Sequence, residues 1–445
     1  MMGSIREELR RLVTQEALLP DGELARWRTG SDRDRVPAAV LAPSTEEEVA
    51  QVLSRASQEG WKVLPAGLGS WLTGGGPTDV TLVLSTRRLN QVQVYEPADL
   101  TITAGAGLSL TTLRDTTANQ RQWLPLDPPG ALEGSLGAVV TLGVGGSIQH
   151  FYGTPRDHVL GLTLISGDGR TLRWGGRVVK NVAGFDLTRL TVGSWGALGV
   201  VTSVSTRLFP IPEMDLTLLF PGPDVKELLP AAREMALSTL PLAGVELVDP
   251  LPSGPWGGKG SEAVLILRLL GGRAEVAEME ARAQGELAGA SGGPRRLEGD
   301  DSRRFNGRMN SWEKGRALVA RLALPPASLG SLIDEGKELS RLASGFGLRA
   351  ETHLASHVGA GILRVAVSEL PVEESSLVAW VASLQGLRSR LEAAGGGLTL
   401  SSGPDFLLRK AGPWGSDAAT AQLMAGLKTQ FDPAGILAPG RLGLK

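Results

Sequence analysis

The chain has 445 residues, 42% of them hydrophobic and 21% charged, and Lys+Arg 45 against Asp+Glu 47 leave a formal charge of −2. This length and composition predict two or three globular domains and exclude wholesale disorder; a near-neutral balance without a basic stripe speaks against nucleic acid. Cysteine is absent, which excludes disulfides, cysteine-ligated iron–sulfur clusters, thiolate zinc sites and a cysteine nucleophile in this chain. Residues 4–19 read as a charged amphipathic helix without a signal-type apolar core. No later run of about 18 apolar residues predicts a membrane span. A cytoplasmic protein is expected, attached at the inner face of a membrane only through a partner.

Val40–Ala42 reads as a short strand closed by Pro43. Ser44 is the expected N-cap of the next helix, with Glu47 as its capping-box partner, an apolar face of Val49, Val52, Leu53 and Ala56, and a stop at Gly60. Trp61–Leu64 is the next strand and runs into the loop Pro65-Ala66-Gly67-Leu68-Gly69-Ser70. A strand that ends in such a loop offers backbone N–H groups to a phosphate. A third glycine and a following helix are missing, so a nicotinamide-type Rossmann site is disfavoured. Strands are expected at 80–84, 91–95 and 101–104, and a helix over 108–120.

From Pro125 to Pro210 glycines fall at turn after turn between short runs rich in Val, Thr, Ile and Leu. Glycine suits positions where φ is positive or where the backbone must approach a ligand closely, so this stretch reads as a β-rich segment wrapped around a large ligand. Beyond Pro212 the texture changes to strands at 214–220, 243–249, 262–271 and 320–326, helices at 225–239, 274–287 and 328–346, and a strand pair at 348–356 and 361–367. The Gly/Ser/Arg-rich stretch Ala288–Arg304 reads as a loop. The expected fold class is α+β, with an antiparallel sheet in the second domain.

The phrases PAGLGS (65–70) before a triple glycine, PLDPP (125–129), GSLGAVVTLGVGG (134–146), YGTPRDHVLGLTLISGDG (152–169) and KNVAGFDLTRL with VGSWGALGVV (180–201) resemble, in order and spacing, flavoproteins of the vanillyl-alcohol oxidase/p-cresol methylhydroxylase type. The wording is most similar to glycolate oxidase subunits, the accessory FAD-binding subunit at least as much as the catalytic one. The resemblance implies an N-terminal segment (1–32), a two-subdomain FAD-binding domain (33–212), an α+β cap domain with an antiparallel sheet (213–400), and a C-terminal segment (401–445) packing back on the FAD domain. It implies FAD, held non-covalently because the loop 65–76 has no His. The diphosphate is expected on Ala66, Gly67, Leu68, Gly69 and Ser70 and on Ser135, Leu136 and Gly137, with Pro65 and Pro128 also at the cofactor. The adenine side is expected along Gly193, Gly196, Gly199, Val200 and Val201.

Catalytic relatives carry a metal-type motif, H-A-G-D-G-N-L-H, and a later E-H-G. The corresponding residues are His357-Val358-Gly359-Ala360-Gly361-Ile362-Leu363-Arg364 and Ser401-Ser402-Gly403-Pro404-Asp405. Too few ligands remain, so no metal is expected, and His353 and His357 read as hydrogen-bonded structural groups. Catalytic residues stay unassigned, with His357 and Arg364 as the candidates and Arg364 as a carboxylate binder if the chain acts alone. The implied function is the FAD-binding subunit of a glycolate or other 2-hydroxy acid oxidase complex, beside a catalytic flavoprotein chain and an iron–sulfur chain. Two alternatives stand beside it: a metal-free dehydrogenase acting alone, and a flavin-free scaffold.

Overall fold

The computed structural model describes residues 2–29, 36–130, 133–176, 186–251, 256, 262–287, 293–345, 352–371, 373–415 and 418–443. Part of the phrase KNVAGFDLTRL, residues 180–185, lies outside them.

The chain opens with a parallel three-stranded sheet in which Leu82–Ser85 lies between Ala39–Leu41 and Val63–Ala66. The helix Glu46–Glu59 makes the crossover and buries Val49, Val52, Leu53 and Ala56, and Gly60 ends it at φ +68°. Full burial of each such Val or Leu contributes about 2 kcal/mol. Its cap differs by one residue from the expected Ser44. Thr45 accepts the Glu48 N–H at 3.1 Å, while the Glu48 carboxylate reaches back to the N–H groups of Ser44 (2.7 Å) and Thr14 (3.0 Å). The capping box therefore ties the preceding segment to the helix as well.

A five-stranded antiparallel sheet follows, in the order Val92–Glu96, Thr101–Gly105, Val200–Arg207, Val159–Ile165, Thr171–Gly175. The glycine-rich stretch is less β-rich than its composition suggests. The helices Leu136–Leu142, Gln149–Tyr152 and Pro155–His158 lie within it. Ser135 caps the first and Gly143, at φ +66°, closes it.

Eight antiparallel strands form the third sheet, in the order Arg295–Glu298, Met214–Gly222, Ala263–Gly271, Gly244–Asp249, Thr352–His357, Ile362–Val367, Leu318–Ala323, Gly397–Ser402. Alternation sorts its side chains. Leu216, Leu218, Leu265, Leu267, Leu363 and Val365 pack under Leu228, Val276, Leu332 and Trp380 of the long helices. The other face carries Leu219, Val264 and Ile266 against Phe305 and Met309, and also the buried polar groups Asp215, Glu246, Arg268 and Arg364. Phe305 and Met309 belong to the helix Asp300–Met309, which with the strand Arg295–Glu298 occupies most of the described part of the stretch read as a loop.

Residues 428–441 pack on the loops of the first two sheets. The Lys428 ammonium is buried against Asp432 (2.7 Å) and the carbonyls of Ala197 (3.1 Å) and Leu437 (2.8 Å). Ala438 N–H donates to Val63 and Val63 N–H to Ile436, both at 2.8 Å, so Ile436–Ala438 runs beside the edge strand of the parallel sheet.

Candidate functional site

Two adjoining clefts lie between the loops of the first two sheets and the polar face of the third. The first holds about 650 Å³ of atom-free space. Ten of the residues expected at a cofactor line it: Pro65, Ala66, Gly67, Gly69, Ser70, Gly137, Gly196, Gly199, Val200 and Val201. Among the described residues, the backbone N–H groups of Gly67, Leu68, Gly69 and Ser70 donate to no protein acceptor. Gly69 sits at φ +91°, which turns the loop without a Cβ penalty. At Gly67 a Cβ would lie 2.0 Å from Ser135 Oγ, so only glycine lets this loop close on the helix that Ser135 caps.

Four expected residues stand off the cleft walls. Ser135 and Leu136 are fully buried, the first as the helix cap and the second as core. Gly193 packs against Gly143. Leu68 is exposed, and Ser70 gives its hydroxyl to the Glu133 carbonyl. Pro128 lines the second cleft instead, which holds about 1270 Å³ and shares Ser70, Trp71, Leu142 and Trp195 with the first. The two therefore form one groove from the Gly67–Ser70 loop to Val319, Ser401 and Ser402 on the eight-stranded sheet.

Sequence reading missed Trp195 and Arg441. Trp195 walls both clefts at φ +53°, a conformation a bulky residue rarely adopts, and its ring meets Trp414 edge-on at 5.2 Å. Arg441 is buried beneath the triple glycine and donates to the carbonyls of Gly74 and, at 2.6 Å, Leu72. Burial lowers its guanidinium to about 10, against the pull of the Asp405 charge, so at neutral pH it is a cation beside the first cleft. Free backbone N–H groups and a buried cation are a donor set suited to an anionic ligand such as a diphosphate.

Residues 37–175 match the FAD binding domain family, and residues 211–442 match the FAD-linked oxidases, C-terminal domain. The chain belongs to the FAD-linked oxidases. FAD is its cofactor, and this FAD-linked oxidase is an oxidoreductase. It is similar to D-lactate dehydrogenase of Archaeoglobus fulgidus, 34% identical over 51% of this chain and 53% of that protein. It is also similar to glycolate oxidase subunit GlcE of Escherichia coli, 39% identical over 41% of this chain and 52% of that protein. These alignments span about half the length of each relative. An uncharacterized FAD-linked oxidoreductase of Mycobacterium tuberculosis aligns over 96% of this chain and 95% of its own length at 28% identity. The fold is that of p-cresol methylhydroxylase, with a TM-score of 0.77 at 16% identity over 100% of this chain and 97% of that one.

In the oxidase's second domain His357 and Arg364 lie beside buried carboxylates. His357 Nδ1 lies 3.0 Å from Glu246 Oε1, and Arg364 lies 3.8 Å from the same oxygen and 2.9 Å from Glu313. Its guanidinium also stands 5.4 Å over the Trp312 ring. Burial pushes the Glu246 carboxyl up, but His357, Arg364 and Arg268 outweigh it and hold it below the usual range. Arg364, expected as a carboxylate binder, is thus already neutralised. His353 and His357 lie on one strand, Thr352–His357, and among the described residues no three His, Asp or Glu side chains are grouped to hold a metal. Asp127 joins the same polar layer from the loop 125–129, bonded to Ser147 (2.9 Å) and Asn310 (3.2 Å) and 3.9 Å from Arg268.

Proposed function

We propose that this FAD-linked oxidase oxidises a small 2-hydroxy acid, as the FAD-binding subunit of a glycolate oxidase-type complex. The observation that carries the reading is the single groove, which begins at an unused backbone donor set and ends on the eight-stranded sheet at Glu313, Val319, Ser401 and Ser402. Named relatives that act on or are named for D-lactate, glycolate and D-2-hydroxyglutarate support the substrate class.

In this reading the N–H groups of Gly67–Ser70 hold the diphosphate of a non-covalently bound FAD, helped by the Arg441 cation. Val200 and Val201 flank the adenine, and the groove past Trp71 and Pro128 takes the ring system. Bound FAD supplies the hydride acceptor for the alcohol carbon. The chain's own residues position the acid and exclude water. With no cysteine for an iron–sulfur cluster in this chain, electrons that leave the flavin through a cluster pass to another polypeptide.

The test is an anaerobic titration of the purified chain with glycolate and D-lactate, followed by the flavin absorbance. A yellow protein that bleaches only when a partner flavoprotein and iron–sulfur chain are added supports the subunit reading. Bleaching with dye turnover by the chain alone sinks it in favour of an independent dehydrogenase, and a colourless protein sinks both.

A further inference from the structure

We propose that Trp195 is the residue against which the flavin ring system of FAD rests, the contact that fixes the ring in the groove. The inference rests on the placement of FAD proposed above, not on the substrate or the subunit role. Trp195 sits in a turn where Gly193 has φ +83°, Trp195 φ +53° and Gly196 φ +74°. Glycine takes the two flanking positions without strain, whereas a tryptophan in that conformation costs free energy that its surroundings must offset. Backbone outliers of this kind cluster where a side chain is held for a ligand. The turn is tied down: Trp195 N–H donates to the Thr141 carbonyl at 2.9 Å, near the end of the helix that Ser135 caps.

The indole is packed as firmly as its backbone is held. Gly74 and Gly75 lie against its six-membered ring, so close that a Cβ on them would stand 3.2 and 3.1 Å from ring atoms. Trp414 meets it at 5.2 Å with an interplanar angle of 74°, and the Trp414 indole N–H is itself fixed on the Arg441 carbonyl at 2.7 Å. The rest of the ring is half-buried and borders both clefts. The neck where the clefts meet is walled by Ser70, Trp71, Leu142 and Trp195. On one side of it lie the loop Gly67–Ser70, Val200 and Val201, and on the other the wider cleft of about 1270 Å³. The planar part of FAD beyond the diphosphate therefore has to lie at this neck, where an indole offers a rigid aromatic face. Trp71 borders the same neck, but it packs partly on the core of the second sheet and its backbone stays outside the left-handed region.

The test reads the fluorescence of the bound flavin in the purified, FAD-loaded protein. An indole in contact gives one electron to the light-excited flavin and takes it back, which extinguishes emission with no net reaction. The wild type is expected to be nearly non-fluorescent. Trp195→Phe should raise the emission several-fold and weaken FAD binding about 10- to 30-fold, while Trp71→Phe stays dark. Trp195→Gly, which suits the positive φ, should brighten likewise, and the melting temperature of each apo-protein shows that the variant is folded. Unchanged emission in folded Trp195 variants overturns the proposal, as does a bright wild type or a gain confined to Trp71→Phe. Weaker FAD binding with emission still quenched also overturns it, because Trp195 then touches another part of the cofactor. Gly69→Val separates the two levels of failure. If that variant keeps stoichiometric FAD, the placement falls and the contact with it; if it loses FAD while Trp195→Phe stays dark, only the contact falls.

Discussion

His158 shows how one side chain sets a pH response. It is fully buried, with Phe209 edge-on at 5.7 Å. Burial and the nearby Arg207 charge push its imidazole down to about 4, although Asp157 and the backbone of Tyr152 and Gly153 pull the other way. The unfolded chain takes up this proton near 6.5, before the folded one does. The neutral form therefore stabilises the fold fully above about 6.5, and that contribution drains away as pH falls toward 4. Its size is about 3 kcal/mol from a shift of this extent. The acid arm of a melting-temperature profile between pH 7 and 4 should be visibly flatter in His158→Leu than in the wild type; identical arms would remove His158 from the explanation. Glu246 acts on the same side of neutrality. Its carboxyl is held below the usual range, so its contribution is present above about 4.5 and is lost only at more acid pH. The sequence could not show either effect, because a lone His between Asp157 and Val159 reads alike whether or not Arg207 folds over it.

At the scale of the element, the loop Pro65–Ser70 separates binding from folding. A Cβ on Gly69 would meet nothing closer than 3.5 Å, but the residue needs φ +91°. Gly69→Val should therefore cost about 1–2 kcal/mol of backbone strain and abolish FAD retention, read as the flavin-to-protein absorbance ratio, while the eight-stranded sheet stays folded. Stoichiometric FAD in that variant would show that the loop does not hold the diphosphate. Gly137 is a different matter. A Cβ there would stand 2.6 Å from Ala106 Cβ and 3.0 Å from the Ala106 carbonyl, so Gly137→Val should fail to fold rather than lose the cofactor alone. The loop was legible in the sequence because strand, glycines and serine are contiguous. The helix Asp300–Met309 was not, since its buried Ser302 and Asn306 look like surface residues until Asp215 and Thr217 arrive to bond them. Nor was the helix Leu136–Leu142, which lies inside a stretch that reads as β-rich until the cap at Ser135 is seen.

Across the whole molecule, residues distant in sequence meet at the groove. The guanidinium of Arg441 satisfies the carbonyls of Leu72 and Gly74, Gly75 N–H donates to Ser401 O at 2.9 Å, and Gly76 N–H to Arg441 O at 3.1 Å. Arg441→Ala leaves those buried carbonyls without donors and removes a cation from the first cleft. A loss of about 2–4 kcal/mol is expected, together with weaker FAD binding; calorimetry of the apo-protein and flavin titration read the two effects separately. Lysine is a poor replacement because one ammonium does not reproduce the fork. The α+β class and the antiparallel second sheet were readable from alternating strands and amphipathic helices, whereas this long-range closure leaves only the short phrase PGRL as a trace. The closure also has a consequence in time. Arg441 lies 365 residues after Gly76, so at common translation speeds the glycine loop waits about 20–70 s on the ribosome before its cap is made. A nascent chain arrested before residue 428 should carry a folded parallel sheet yet stay colourless, and flavin uptake should mark the last stage of maturation rather than its nucleus.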